Sequence, residues 1–408
     1  MSEIDSLLDE LARLGFLWFE DNRQPDTGLV LDRALNRRGA TSHRGRCSIA
    51  SCGYYLSLLP EWVRLGRIDR AEAERQALQT TDFFWKQVAH CKGMFYHFID
   101  WSSGARWGNS GVSVLDTSIF LNGCIVVSES FQGSVAVRTT ELLDRVDWNA
   151  FLVRHPPTGK SLLSLGWTPE GGLTGHADVR SSELAMPYFL AVASRTHPID
   201  AQCWYNTAVN WGELAGIRVL NPLLPLFCSY YGLGWHELKG LTDREGVDMD
   251  HNARSTALAN RLFCRQQASQ FATFGQSAGG WWGISAGDNA DGYIAAAPVA
   301  GTLDGTVWPL AALAAIPWVP AELCGDLARW RASNSWHIAC GDYGLSPFNL
   351  DRKLSGGRPW VGEALIGIDV GSLCVSLANY RHRTVWELWR QHPVATAAIE
   401  RLEYKPRQ

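Results

Sequence analysis

Ser181-Ser182-Glu183-Leu184-Ala185-Met186 ends a long glycine-containing stretch, 148–180, and opens an apolar run that continues to about residue 195. A polar, cap-forming start followed by continuous apolar residues is the pattern of a helix N-terminus. The same junction of long loop and apolar helix recurs along the chain, and that recurrence sets the fold class. Val114-Leu115-Asp116-Thr117 begins a second such run, and Gly367-Ile368-Asp369-Val370-Gly371 leads into a third over 372–377.

Working outward, helical periodicity is present at 2–19, where Ile4, Leu7, Leu8, Leu11, Leu14 and Phe16 form one stripe. It returns at 48–66, 70–91, 113–131, 135–147, 181–195, 200–213, 223–231 and 251–268. The last third adds 305–316, 320–333, 369–379, 382–391 and 394–402. Between the helices run loops rich in glycine, asparagine and aromatics at 21–47, 93–112, 148–180, 269–304 and 335–368. Loops of this length in a compact domain are usually functional. A strand is predicted at 94–100, as a hairpin arm before the Ser102-Ser103-Gly104 turn. No Pro- or Ser-rich linker divides the chain and no fixed-period repeat is visible, so residues 1–408 read as one domain. Paired helices with large loops at one end suggest an all-α (α/α)6 toroid, a double ring of helices with long cleft-forming loops and a few short β-hairpins.

Composition narrows the function. With 408 residues, 46% apolar and 19% charged, the chain has material for a large core and is neither disordered nor a coiled coil. A net charge of -4 and the lack of any Lys/Arg run argue against nucleic acid as a partner. Met1-Ser2-Glu3-Ile4-Asp5 is acidic, unlike a positively charged signal sequence, and no stretch approaches 18 uninterrupted apolar residues, so no membrane partner is expected. Ten cysteines are scattered singly, without disulfide or zinc spacing, and are expected to be reduced and mostly buried. Together these features favour the cytoplasm, although a secreted form with its signal removed would look alike.

The most unusual count is 19 Trp. Tryptophan ordinarily fills helix interfaces. A subset here sits in glycine- and proline-marked stretches, Gly279-Gly280-Trp281-Trp282-Gly283 and Arg358-Pro359-Trp360, where a flat ring suits the apolar face of a sugar.

Glycoside hydrolysis needs a carboxylic acid to protonate the leaving oxygen and a carboxylate to activate water or attack the sugar. Glu183, in a helix first turn, is the candidate acid; its bland alternative is a capping-box or dipole partner. For Asp116 the alternative is an N-cap. Asp369, flanked by glycines and apolar residues, is poorly solvated and reads as a general base or a structural ion-pair member. Asp288 and Asp291-Gly292-Tyr293 combine turn chemistry with acids near Trp281 and Trp282, and Asp32-Arg33 reads as an ion pair in the first loop. The histidines lack metal-ligand spacing, and there is no GxSxG elbow or phosphate-binding glycine loop, so no metal or cofactor is called for.

A series of segments then falls into a family order. Trp18-Phe19, Asp26-Thr27-Gly28-Leu29 and Asp32-Arg33 come first, followed by Gly93-Met94-Phe95-Tyr96-His97-Phe98, Asp100, Gly104, Arg106 and Leu115-Asp116-Thr117. Glu183, Ser194-Arg195-Thr196-His197-Pro198-Ile199, Asn252-Ala253-Arg254 and Trp282-Gly283-Ile284-Ser285-Ala286 follow. Asp288, Gly292-Tyr293, Asp304-Gly305-Thr306-Val307, Tyr343-Gly344, Phe348-Asn349, Gly367-Ile368-Asp369 and Asn379-Tyr380-Arg381 complete the set. In this order they resemble the glycoamylase-like domain family, which includes bacterial endo-β-1,2-glucanases, and the related cyclisation domain of cyclic β-1,2-glucan synthases. The resemblance covers nearly the whole chain.

The resemblance implies the (α/α)6 toroid and a carbohydrate substrate, with β-1,2-linked glucan leading. It implies an anomer-inverting hydrolase with Glu183 as general acid, and Asp369 or Asp116 as base or water-positioning group. With the aromatics above, it makes Asp32, Arg33, Asp100, Arg106, Asn252, Trp281, Trp282, Asp288, Trp308, Phe348, Trp360 and Tyr380 the substrate-contact candidates. Three positions depart from the pattern. Many relatives carry a glutamate ahead of the Asp-Thr pair, where this chain has Ser110-Gly111-Val112-Ser113; Ala253 replaces a Ser, and Val370 a Gln. Gly111 leaves the partner of Glu183 open between Asp369 and Asp116. A transglycosylase on the same substrates stands as a second reading, and Gly111 prompts a third, a non-catalytic glycan-binding protein.

Overall fold

The computed structural model describes residues 3–40, 45–299 and 301–407. Met1 and Ser2 of the acidic start, and residues 41–44 and 300 of two predicted loops, lie outside the described residues. Among those described are fourteen α-helices: α1 Glu3–Asp21, α2 Ile49–Arg64, α3 Arg70–Lys86, α4 Val114–Phe131, α5 Gly133–Arg145, α6 Ser182–Ala193 and α7 Gln202–Tyr205. The rest are α8 Met249–Gln266, α9 Pro309–Leu313, α10 Pro320–Arg331, α11 Asn334–Ala339, α12 Gly367–His382, α13 Thr384–Gln391 and α14 Pro393–Arg401.

Four helices are apolar on nearly every face and form the centre. In α6 every residue but Glu183 is buried, and α2, α4 and α12 bury most of their lengths. Helices apolar all round belong in a core. These pack in succession, α6 on α4, α4 on α2, α2 on α12 and α12 on α9. By length and composition α4 could cross a membrane, yet 78% of it is buried inside the protein. At the α2–α4 crossing the backbones touch: a Cβ on Gly123 would lie 2.1 Å from the Gly53 carbonyl oxygen. Only glycine permits that approach.

The surrounding helices are amphipathic. Helix α1 packs on α12 and buries Leu7, Leu8, Leu11, Leu14, Trp18 and Phe19, close to the expected stripe. Helix α5 packs on α3 and α4, and α14 packs on α6. One hydrophobic core draws on residues from 7 to 404, with a small satellite of Leu214, Val219 and Ala259 beside it.

The strands are short and antiparallel, in nine two-stranded ribbons and one three-stranded sheet among the described residues. Their placement matters more than their size. Arg46–Ser48, paired with Phe98–Asp100, leads into α2; Val112–Ser113, paired with Gly166–Thr168, leads into α4; Ala364–Ile366, paired with Arg33–Leu35, leads into α12. Each pairing ties a buried helix start to a distant loop, which gathers the loops over one end.

Most predicted helices are present within a few residues, and two are not. The helix expected at 200–213 stops at Tyr205, and the chain forms the hairpin Trp211–Leu214 with Ile217–Leu220. Ala215 and Gly216, both at positive φ, make the tight turn that twisted strands need. Pro222 and Pro225 cut the 223–231 helix to 3₁₀ turns at Leu226–Ser229 and Gly232–Gly234. The predicted 94–100 strand is split, with Met94–Phe95 pairing His90–Cys91 and Phe98–Asp100 pairing Arg46–Ser48. Helix α11 begins the stretch read as a loop at 335–368. All ten cysteines are free thiols, seven of them buried.

Candidate active site

The first turns of α4, α6 and α12 face one cleft of about 1230 Å³, which brings Asp116, Glu183 and Asp369 together. None of the three caps its own helix. Ser181 is the N-cap of α6 and its Oγ accepts the Leu184 N–H at 3.2 Å. That leaves the Glu183 carboxyl unengaged by any capping box. Its Oε2 instead accepts from the Cys228 thiol at 3.2 Å. Burial pushes the Glu183 carboxyl from 4.5 up to about 7; the thiol bond opposes this and the charge of Asp116 reinforces it.

Asp116 is the third residue of α4, and Ser113 Oγ caps its N–H at 3.1 Å. His97 Nδ1 lies 3.6 Å from Asp116 Oδ2. The His97 ring stacks on Phe98 at 3.9 Å, and Arg46 lies 4.7 Å over the Phe98 ring while donating to Asp32 Oδ2 at 2.8 Å. One wall of the cleft is therefore a continuous run of rings and charges.

Asp369 is the third residue of α12 and makes no ion pair among the described residues, so the structural ion-pair alternative is not realised. The Tyr231 phenol donates to its Oδ1 at 3.2 Å. Burial pushes its carboxyl from 3.8 up to about 7, with the phenol and Arg33 opposing and Asp288 and Asp32 reinforcing the rise. Arg33 Nη1 reaches both Asp288 oxygens, at 3.0 and 2.8 Å, and its Nε donates to Asp32 at 3.1 Å. Asp288 belongs to the hairpin Ala286–Asn289 with Gly292–Ala295, whose second strand carries Tyr293 over the cleft. Tyr293 is 63% exposed, the large open ring of the site. Trp308 lines a small recess shared with Asp288 and Asp369, and its Nε1 donates to the Asp288 carbonyl at 3.1 Å.

The structure places the other predicted contacts away from the cleft. Trp281 and Trp282 are core residues: the former stacks on Trp330 at 4.4 Å, and the latter donates to Asp326 at 2.8 Å. Gly279 and Gly280, both at positive φ, fold this stretch back into the interior. Phe348 packs edge-on against Trp281 at 5.1 Å, and Trp360 lies buried in the strand Pro359–Val361. Asn252 accepts the Leu220 N–H at 2.8 Å. Asp100 closes its own turn by accepting from the Ser102 and Ser103 N–H groups, and Arg106 grips Glu170 at 2.6 Å. Tyr380 lies eleven residues beyond Asp369 on α12, roughly 16 Å along the helix axis.

Arg46, His97, Tyr231, Cys228 and Tyr293 were not among the sequence candidates. Of these, Tyr293 carried a signal as an aromatic directly after the Asp291-Gly292 turn, and His97 stood inside a family segment. Among the described residues no group of three or more His, Cys, Asp or Glu side chains could hold a metal ion. What the arrangement can do is proton chemistry: two carboxyls near neutrality, on separate helices, face one open space.

Known proteins share this architecture. The endo-β-1,2-glucanase of Chitinophaga pinensis, solved with sophorotriose and glucose, superposes with a TM-score of 0.87 at 22% identity over 99% of both chains. The β-1,2-glucanase of Parabacteroides distasonis gives 0.86 at 19% identity, over 98% of this chain and 60% of that one. In sequence, the chain is 22% identical over 442 residues to the exo β-1,2-glucooligosaccharide sophorohydrolase (non-reducing end) of Parabacteroides distasonis. The match takes in 98% of this chain and 58% of that relative's length. The Glycoamylase family model, described as "Putative glucoamylase", matches residues 175–393, a stretch holding both Glu183 and Asp369. Matched over more than half its length, the chain belongs to the Glycoamylase family.

Proposed function

We propose that the chain is a glycoside hydrolase that cleaves β-linked glucans, β-1,2-glucan first among them, with inversion at the anomeric carbon. The observation that carries this reading is the pair Glu183 and Asp369, two carboxyls pushed up to about 7 that face one cleft from different helix starts. The linkage is supported by the relatives, a sophorohydrolase and two β-1,2-glucanases. The scaffold reading is a single catalytic domain built as an (α/α)6 double ring. Buried α2, α4, α6, α9 and α12 surrounded by amphipathic helices support it.

In the proposed reaction, protonated Glu183 gives its proton to the glycosidic oxygen as the C1–O bond breaks. The Asp369 carboxylate takes a proton from a water whose oxygen bonds to C1 on the opposite face. Water is thereby added across the bond; Asp369 then releases its proton to solvent and Glu183 regains one from solvent. Asp369 is favoured as base because burial brings its carboxyl up to about 7, near a working pH, and Arg33 supports its anion. Asp116 has a different use: its charge beside Glu183 holds the acid's proton. Gly111 then needs no acidic replacement, and the space there is tight, since a Cβ would lie 3.2 Å from Thr168 Cγ2. Glu183 feels Asp116, whereas Asp369 feels Asp288, Arg33 and Asp32. Separate surroundings suit a pair with a water between them. Tyr293 offers a ring face for stacking on a glucose unit. Ten free thiols support a reducing compartment, the cytoplasm.

A panel of linkage-defined gluco-oligosaccharides, sophoro-oligosaccharides included, tests the reading by proton NMR of the anomeric signals. The α-anomer should appear first, with shorter chains only. Early β-anomer would overturn inversion in favour of a retaining mechanism, lengthened chains would favour transfer, and calorimetric binding without turnover would leave a glycan-binding protein.

A further inference from the structure

We propose that the turn at 226–231 is a positioning element that decides which of the two carboxyls gives the proton and which takes it. The proposal rests on the reading of Glu183 and Asp369 as acid and base. One short stretch reaches both groups: Cys228 Sγ lies 3.2 Å from Glu183 Oε2, and three residues later the Tyr231 phenol donates to Asp369 Oδ1 at 3.2 Å. Cys228 lies in the first 3₁₀ turn and Tyr231 in the link to the second.

The turn is held firmly against both helices. Gly232 approaches α6 so closely that a Cβ would lie 2.0 Å from the Ser182 carbonyl oxygen, and the Leu233 N–H donates to Ser182 Oγ at 3.2 Å. Phe227 packs on Tyr231 with ring centres 4.5 Å apart, and its N–H donates to Ser285 Oγ at 3.4 Å.

The two donors are unequal. A thiol is a weak donor and a phenol a strong one. A hydrogen bond given to a carboxylate favours the charged form, so the phenol supports Asp369 as the proton acceptor while the thiol leaves Glu183 its proton. Neighbouring carboxylates raise both groups, so the unequal donors of the turn are what set the two apart. Glu183 faces Asp116 from α4, itself beside His97, with the phenols of Tyr54 and Tyr293 nearby. Asp369 faces the Arg33 cation, with Asp32, Asp288 and the phenols of Tyr54, Tyr230 and Tyr293 also in range.

The test uses Cys228→Ser, Cys228→Val and Tyr231→Phe, each checked for wild-type circular dichroism and melting. Two readouts are taken: the pH dependence of kcat on sophoro-oligosaccharides, and the carboxyl ¹³C titrations of labelled Asp and Glu. Cys228→Ser supplies a better donor, so Glu183 titrates lower and the alkaline limb moves down by about one pH unit. Cys228→Val removes the donor and moves that limb up. Tyr231→Phe moves the acid limb up by about one pH unit, narrowing the profile from the other side. A folded variant set with both titrations unmoved, or with kcat lowered equally at every pH, overturns the proposal. The titrations need no turnover. If no glucan is cleaved, the glycosidase reading fails by itself, and movement or stillness of the two carboxyl titrations still decides the role of the turn.

Discussion

Arg33 and Asp288, 255 residues apart, meet across the cleft with Arg33 Nη1 at 3.0 and 2.8 Å from the two carboxylate oxygens. The contact joins the first loop to the hairpin that carries Tyr293, and both side chains are largely buried, so it is worth more than a surface ion pair. In Asp288→Asn the shape stays and the charge goes. KM for sophoro-oligosaccharides should rise about 3- to 10-fold, equivalent to about 1 kcal/mol. Loss of a negative neighbour also lowers the Asp369 carboxyl, so the acid limb of the rate profile should move to lower pH.

Glu183→Gln keeps the size of the side chain and its place at the start of α6 while removing the transferable proton. Turnover should fall by about 10²- to 10⁴-fold with KM little changed, read by reducing-end release under saturating substrate.

Both carboxyls bind a proton more tightly in the folded chain than in the unfolded one, since 4.5 and 3.8 become about 7. Their favourable contribution is complete below about pH 4 and is lost as pH rises towards 7. Above pH 7 each ionised group is a standing cost. Glu183→Gln and Asp369→Asn should therefore melt at higher temperature than wild type at pH 8, with the gap closing by pH 4, as calorimetric scans at the two pH values will show.

Tyr293 and Trp282 make a paired prediction. Tyr293→Ala should raise KM, by about 10-fold if a stacking contact of about 1.4 kcal/mol is lost, and leave the melting temperature alone. Trp282→Phe should do the reverse, because it removes one charge-assisted hydrogen bond to the buried Asp326, which Arg261 still holds, and leaves space in the core, at a cost of about 1.5–3 kcal/mol of stability. Kinetics and urea unfolding on both variants distinguish a cleft residue from a core one.

Gly123→Ala should destabilise by about 1–3 kcal/mol, since the added methyl meets the Gly53 carbonyl at 2.1 Å and must push α2 and α4 apart. Urea denaturation gives the figure directly.

Much of this was legible in the chain itself. Asp116, Glu183 and Asp369 stood out because each opens an apolar helix after a glycine-bearing stretch, and all three reach the cleft. Trp281 and Trp282 misled for a physical reason: glycines beside aromatics look like an open loop, whereas positive φ at Gly279 and Gly280 turns the rings inward onto Trp330 and Asp326. Phe348, Trp360, Asn252 and Tyr380 belong to recognisable segments, yet their side chains serve packing, backbone pairing or a surface far from the acids. Tyr231 and Cys228 carry no local pattern at all. Their importance comes from partners 138 and 45 residues away, which only the assembled fold supplies.

Glu183 and Asp369 ride on helices locked into the core, while the rim around them hangs from hairpins such as Ala286–Asn289 with Gly292–Ala295. On the proposed function, cutting and fitting are therefore inherited on different parts of the chain. A duplicated copy can lengthen, shorten or recolour its rim and try new glucans while its bond-breaking pair stays in register, and an engineer can graft rims in the same way.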